Sequence, residues 1–156
     1  MFNSPTTGPV TVTEMLQNIQ SFIGADEDHS YQIIVGSDSQ QYNGKTVDFV
    51  TAIVVHRKGK GGIYFWQRTT QEKKYVLRQR MYEEATMSLA TAELLVKEFD
   101  NYGISRYNLE IHVDIGPSGQ TRDMINEIVG MIRGSGYEVK TKPESYGASK
   151  VADRYT

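Results

Sequence analysis

Two aspartates of this sequence follow segments that are typical of β-strands. Asp38 comes just after the apolar run 33–36, and Asp114 follows segment 109–113. The first run is apolar on both faces, as expected of a central buried strand, so its carboxylate should emerge where the strand ends. Ligands bind preferentially at that edge of an open α/β sheet. Because carboxylate oxygens are the ligands that hard divalent cations prefer, a Mg²⁺ or Mn²⁺ site is the first chemistry to consider.

Both aspartates also have simpler interpretations, which stay open. Asp38 can cap a turn with the two polar residues that follow it, because aspartate is common in turns. Asp114 precedes the stretch 116–119, where a tight turn with exposed backbone amides could bind an anion or phosphate. His112 is expected on the same strand face as Asp114, but a lone histidine is more often a hydrogen-bonded structural residue.

A third acid is expected on a long helix predicted from residue 74 to about residue 100. Its apolar stripe consists of Met81, Ala85, Ser88, Ala92, Leu95 and Phe99. At about 100° per residue, Glu84 lies roughly 60° from that stripe, whereas Glu83 points almost directly away from it. We therefore expect Glu84 to border the sheet and Glu83 to lie in solvent.

The composition restricts the metal, the compartment and the kind of partner. The sequence has no cysteine and no HExxH spacing, so Mg²⁺ or Mn²⁺ fits better than zinc. The absence of cysteine suits a reducing cytoplasm, and no stretch approaches the roughly 18 apolar residues of a membrane span. We expect a cytoplasmic protein. Because the net charge is −2, any contact with nucleic acid must use a local basic patch.

Basic residues that are available for phosphate contact fall into three groups along the chain. They are Arg57, Lys58 and Lys60; Lys73, Lys74, Arg78 and Arg80; and Lys140, Lys142, Lys150 and Arg154. The second group is the most suggestive, because cations at the start of a helix oppose its dipole, and that local cost indicates an anionic partner. All three groups are equally compatible with solvated surface. Five aromatic residues can stack on bases, but aromatics in strands and at helix starts are more often packed in the protein, so none is assigned a role: Tyr42, Tyr64, Trp66, Tyr75 and Tyr82.

The elements that position the acids follow from periodicity and turn residues. Residues 11–14 fit a capping box at the start of a first helix. Strands are predicted at 31–35, 47–56, 62–69, 107–115 and 137–141, with helices at 74–100 and 120–133 and a last helical face of Ala148, Val151, Ala152 and Tyr155. The order βββαβαβα predicts one α/β domain over residues 1–156, a five-stranded mixed sheet flanked by helices, with residues 1–10 flexible.

Several strings of the sequence resemble one bacterial family. The resemblance rests on GSDSQ at 36–40, HVDIG at 112–116, KPESYGAS at 142–149 and VADRYT at 151–156. These look like the YkuK-type family of uncharacterised bacterial proteins with a ribonuclease H-like fold, and the likeness covers residues 12–156. The order of predicted elements is also that of the ribonuclease H-like fold.

The resemblance implies four acidic positions: the end of the first strand, the first crossover helix, the end of the fourth strand and the last helix. Asp38, Glu84, Asp114 and Asp153 occupy these places. Without the resemblance, Asp153 is equally an exposed charge or a partner of a neighbouring cation. Four carboxylates brought together repel one another, which raises their pKa values unless a divalent cation neutralises them.

The resemblance therefore implies a metal-dependent nuclease that uses Mg²⁺ or Mn²⁺ to hydrolyse phosphodiester bonds in RNA, DNA or an RNA/DNA hybrid. Two alternatives stay open. One is a noncatalytic nucleic-acid or protein binding module with the same fold, and the other is a phosphatase or exonuclease that acts on small nucleotides. No Walker A sequence is present, so P-loop nucleotide hydrolysis is not expected. Nothing in the sequence indicates a particular protein partner.

Overall fold

Within residues 1–26, 29–105, 108–117, 119 and 122–156, which the computed structural model describes, the strands form one seven-stranded sheet. The elements are β1 (Phe2–Ser4), β2 (Gly8–Val10), α1 (Val12–Gly24), β3 (Tyr31–Tyr42), β4 (Thr46–Arg57), β5 (Gly62–Gln71), α2 (Leu77–Phe99), β6 (Leu109–His112), α3 (Ile125–Gly134) and β7 (Glu138–Lys140). Gly147–Ala152 forms a π-helix and Asp153–Tyr155 a 3₁₀ turn. Together with Thr156 they make up the 147–156 segment.

The strand order across the sheet is β2-β1-β5-β4-β3-β6-β7. Pairing is antiparallel from β2 to β3 and parallel for β3 with β6 and β6 with β7, because α2 and α3 cross over between those strands. The mixed α/β architecture is confirmed, but the prediction of five strands was wrong. The two additional strands are only three residues long, too short for a periodicity signal, and they are held by burial of Phe2 and Val10 and by pairing of Asn3 with Trp66.

The antiparallel meander of β3, β4 and β5 is longer than the sequence predicted. β3 runs to Tyr42 instead of ending at Val35, and it pairs with β4 along its whole length. Asn43 and Gly44, at φ 52° and 65°, adopt the left-handed conformation that tight hairpin turns use. The prediction stopped early because mostly polar residues follow Val35, whereas backbone pairing with β4 continues regardless of polarity. Asp38 therefore lies inside a strand and not at its end.

The larger core lies between one face of the sheet and helices α1, α2 and α3. Thr11 caps α1 and forms the predicted capping box with Glu14. The buried residues of α2 are Met81, Glu84, Ala85, Ser88, Ala92, Leu95 and Phe99, which is the predicted stripe with Glu84 added. Successive strand residues alternate between faces, so this core takes residues such as Ile33 and Ile53. We call this side of the sheet the helix face.

The opposite side, which we call the segment face, is covered by the 147–156 segment. Ala152 packs there against Val50 and Ala52. Tyr155 stacks on Trp66, with ring centroids 4.2 Å apart and planes inclined by 11°. The segment is a π-helix followed by a 3₁₀ turn, and not the regular last helix that the sequence predicted. A piece this short has little helical preference of its own, so its contacts with the sheet determine its conformation.

Other element bounds differ modestly from the predictions. α2 begins at Leu77 and α3 at Ile125, later than predicted, and β6 ends at His112. The predicted bounds at Tyr107 and Gln120 lie outside the described residues. No helix in the described part of the chain is long and apolar enough to cross a membrane.

Candidate active site

The central strand β3 loses one of its two neighbours partway along its length. The last residue pair between β3 and β6 joins Gly36 to His112, whereas pairing with β4 continues to Tyr42. Asp38 and Asp114 each stand two residues beyond that last pair. The sheet is therefore open on one side of Asp38, and the chain that leaves β6 passes beside the opening.

Asp38 is buried at this opening, with 8% of its surface exposed. Burial is the main reason that the pKa of Asp38 is raised to about 7, and a hydrogen bond with the Asp153 carboxyl and the negative charge of Asp114 act in the same direction. Two carboxyl groups share a hydrogen bond only when one of them carries a proton. When both are ionised, the excess negative charge requires a cation nearby.

The 147–156 segment brings Asp153 to Asp38. Backbone contacts hold the far end of the segment: the Tyr42 hydroxyl donates to the Thr156 carbonyl at 2.7 Å, and Nε and Nη2 of Arg68 donate to the Tyr155 carbonyl. Asp153 is exposed, so its carboxyl reaches Asp38 from the solvent side.

Glu84 approaches from the helix face and is 5% exposed. The Ser39 hydroxyl donates to Glu84 Oε2 at 2.5 Å, and Arg80 donates to the same hydroxyl and to the Ser39 carbonyl, both at 3.0 Å. Burial raises the pKa of Glu84 well above its usual value and the charges of Asp38 and Asp114 add to this, against the Ser39 hydrogen bond and the Arg80 charge. Glu83, its neighbour in sequence, is only partly buried.

Asp114 lies beside a lysine on the solvent side of the opening. Lys142 Nζ is 3.4 Å from Asp114 Oδ1, and the two side chains are 51% and 24% exposed. Backbone hydrogen bonds keep these two stretches together: the Val113 N–H donates to the Lys140 carbonyl, and the Lys142 N–H donates to the Ile115 carbonyl. Ser118, in the predicted phosphate-binding turn, lies outside the described residues.

Acids from both faces of the sheet thus meet where β6 ends. Asp38 and Asp153 lie on the segment face, whereas Glu84 approaches through Ser39 on the helix face. Among the described residues, no group of three or more His, Asp or Glu side chains is arranged to hold a metal ion. The donors are nevertheless all carboxylate oxygens, and the charges of Asp38 and Asp114 both act on the buried Glu84. In ligand type and in charge these residues fit a hard divalent cation.

The chain matches the family model described as ribonuclease H-like over residues 14–156. It belongs to the ribonuclease H-like family. A similar protein is the "Uncharacterized protein YkuK" of Bacillus subtilis (strain 168), with 32% identity over 168 aligned residues that cover 100% of this chain and 96% of the relative. The YkuK-type resemblance is therefore confirmed. Membership establishes the kind of fold, but a fold of this kind hosts many functions.

In this ribonuclease H-like chain, two of the four predicted acids, Asp38 and Asp153, share a hydrogen bond, and the charge of Asp114 acts on Asp38. Glu84 joins them through Ser39 and through the longer-range charges of Asp38 and Asp114. The sequence reasoning missed Ser39 and the connection from Arg80 to Glu84. A signal for that connection was present, because residues four apart on a helix share a face.

Proposed function

We propose that this ribonuclease H-like protein is a divalent-metal-dependent nuclease that hydrolyses phosphodiester bonds in RNA or DNA. One observation at the opening beside β3 carries the proposal. Asp38 shares a hydrogen bond with Asp153 and lies near the charge of Asp114. The charges of Asp38 and Asp114 also act on the buried Glu84. Burying carboxylates that repel one another is unfavourable for folding, and functional sites are where such groups cluster, so the arrangement favours a catalytic site.

Asp38, Glu84, Asp114 and Asp153 would hold Mg²⁺ or Mn²⁺, with Asp38 and Asp114 as the central ligands. Bound divalent ions at such a site supply activation of the attacking water and stabilisation of the leaving oxygen. The chain's own groups support this: Ser39 and Arg80 hold Glu84 in place. Lys142 beside Asp114 is half exposed and can reach a substrate phosphate.

A surface near the start of α2 supports nucleic acid as the substrate. Lys73 Nζ lies 5.1 Å from the Tyr75 ring centroid, and Arg78 Cζ lies 5.4 Å from that of Tyr82. These four side chains line a depression of about 380 Å³ together with Gln79 and Glu83. Cations for phosphates beside flat rings for bases are typical of surfaces that bind single-stranded nucleic acid. Arg80, in the first turn of α2, donates a hydrogen bond to Ser39 of the opening.

A noncatalytic nucleic-acid binding module is the second candidate. The specific observation in its favour is Lys142, whose ammonium group already provides a positive charge 3.4 Å from Asp114. In a module of this kind, lysine and arginine would balance the acids, and metal would not be needed for folding or for binding.

The experiment that separates the candidates is cleavage of labelled single-stranded, duplex and hybrid substrates in Mg²⁺, Mn²⁺ or EDTA. Asp38→Asn and Asp114→Asn are expected to lose more than about 100-fold in rate, since changes to outer partners of metal ligands alone cost about 10 to 100-fold. Two glutamates of α2 provide a matched pair: Glu84→Gln should lose activity, and Glu93→Gln, at an exposed position about two and a half turns farther along the helix, should keep it.

Circular dichroism and gel filtration check that each variant is folded. Metal-dependent cleavage that disappears in folded Asp38→Asn and Asp114→Asn establishes the nuclease. Substrate binding without cleavage in any metal favours the binding module. Equal loss in Glu93→Gln and Glu84→Gln would contradict the assignment of Glu84 to the site.

A further inference from the structure

Strand β6 carries a buried ionisable pair that the proposed chemistry does not use. Glu110 and His112 are 5% and 1% exposed, and they stand two residues apart, on one face of β6. Glu110 Oε1 and His112 Nε2 are 2.7 Å apart. Burying such a pair generally stabilises a fold no better than apolar residues of the same size would, which directs attention to the geometry that it fixes.

The partners of His112 determine which ring nitrogen carries hydrogen. The backbone N–H of Gly147 points to His112 Nδ1 at 2.9 Å. A backbone amide can only donate, so Nδ1 must accept with its lone pair. The ring hydrogen is then on Nε2, where it is donated to the Glu110 carboxylate. Glu110 therefore holds the imidazole in the form that can bind Gly147.

Gly147 is the first residue of the 147–156 segment, and it has little room to move. A Cβ atom on Gly147 would lie 2.6 Å from Ile34 Cγ2 and 3.2 Å from His112 Nδ1. The preceding residue, Tyr146, packs its ring edge-on against the imidazole, with centroids 4.8 Å apart. The start of the segment is thus fixed by one hydrogen bond and by close packing on both sides.

We infer that the Glu110 and His112 pair is a positioning device that fixes the start of the 147–156 segment and thereby places Asp153 beside Asp38. Neither residue touches the reacting groups, and both act through Gly147. The inference deepens the proposed function, because it rests on Asp153 being part of the metal site. Its structural half, the docking of the segment, is measurable without metal or substrate.

Trp66 provides that measurement, since it is the only tryptophan of the sequence and stacks on Tyr155 of the segment. In His112→Gln, an amide nitrogen that donates to Glu110 leaves the amide oxygen displaced from the position of Nδ1, so the Gly147 N–H loses its hydrogen bond. We expect acrylamide quenching of Trp66 fluorescence to rise roughly twofold as the segment opens locally. Mn²⁺ affinity, titrated with the metal alone, should fall about 10-fold or more.

Two controls separate positioning from general stability. Glu110→Gln keeps an acceptor for Nε2–H and should retain the quenching and Mn²⁺ affinity of the wild type. Leu16→Ala removes core volume on the helix face and should lower stability without changing either readout, because Leu16 is remote from the segment. If His112→Gln does not fold, Glu110→Ala is measured in the same way. This variant removes the carboxylate that accepts from Nε2 and keeps the imidazole ring.

Unchanged Trp66 quenching in His112→Gln would overturn the inference, and so would an equal change in Leu16→Ala. If the wild type binds no Mn²⁺ and cleaves nothing, the proposed function fails. In that case the quenching data still decide whether His112 holds the segment, so the two failures are distinguishable.

Discussion

The two faces of the sheet are covered by different kinds of contact. On the helix face, α1, α2 and α3 bury a continuous aliphatic core that includes Leu95 and Ile132, both fully buried. On the segment face, a small apolar cluster around Ala152 is supplemented by a stacked ring pair and by hydrogen bonds to the backbone of the segment. The helices on the helix face are held mainly by apolar packing, whereas the segment on the other face is held largely by polar contacts and ring stacking.

The difference shows that the core that stabilises the fold lies on the opposite face of the sheet from Asp38 and Asp153. The raised pKa of Asp38, caused mainly by burial, shows that keeping this side chain ionised inside the fold is unfavourable. A close-packed core on the other face supplies the stability against which such a site can be maintained. The acids approach one another where β6 ends, between the core of the helix face and the 147–156 segment.

Stability measurements on one variant from each face test this difference most strongly. Leu95→Ala should lower the free energy of unfolding by about 2 to 5 kcal/mol, the usual range for a fully buried leucine. Tyr155→Ala removes a partly buried ring stacked on Trp66 and should cost only about 1 to 2 kcal/mol. Urea unfolding followed by far-ultraviolet circular dichroism checks both, and equal losses would contradict the division of roles.

The pH dependence of stability sharpens the comparison at Asp38. Its folded pKa of about 7 lies above the usual 3.8, so the folded state keeps a proton that the unfolded state has already lost. The resulting stabilisation is complete below about pH 4 and is lost as the pH rises to about 7. In EDTA, the wild type should therefore lose stability relative to Asp38→Asn across this window.

Each unit of raised pKa corresponds to about 1.4 kcal/mol, and each kcal/mol shifts the Tm of a protein of this size by roughly 2 to 4 °C. We expect Asp38→Asn to melt several degrees higher than the wild type at pH 7.5, and Mg²⁺ to stabilise the wild type more than the variant. Melting curves measured between pH 4 and pH 8 test this. Parallel profiles of Tm against pH for the two proteins would show that the pKa of Asp38 is not raised in the folded state.

The smallest effect is expected at the surface beside α2, outside both faces. The Lys73→Ala and Arg78→Ala double variant removes two cations from the depression, and the salt dependence of nucleic-acid binding should weaken by about one to two units of slope. The ion pair of Arg78 with Glu127 is exposed, so unfolding should change by less than about 1 kcal/mol. Fluorescence anisotropy at several salt concentrations measures how the logarithm of the binding constant changes with the logarithm of salt concentration. An unchanged slope would show that nucleic acid does not contact this surface.

The helix face could be predicted from sequence because its signals are local. The capping box at Thr11 and Glu14 and the stripe along α2 depend on spacings within a few residues, and the angular position of Glu84 followed from the same periodicity. The helices need only a partner with an apolar surface, and the strands provide one.

The segment face could not be predicted in the same way, because it is determined by distant contacts. The conformation of 147–156 depends on His112, Trp66 and Arg68, none of which is near in sequence. The length of β3 depends on pairing with β4 and not on its own polar residues. For Asp153, only the family resemblance indicated a place in the site, since its neighbours in sequence give no reason for its contact with Asp38.

The parallel pairing of β3 with β6 also affects the order of folding. The meander from β3 to β5 joins strands that follow one another closely in the chain. In contrast, the pairing of Ile33 with Leu109 and the hydrogen bond of Tyr42 with Thr156 join residues that are far apart in sequence. Closing the long loops between such residues is slow compared with forming hairpins. We therefore expect the meander and the helices to form before the acids meet. Repelling charges are then brought together late in folding, after most of the structure that must hold them has formed.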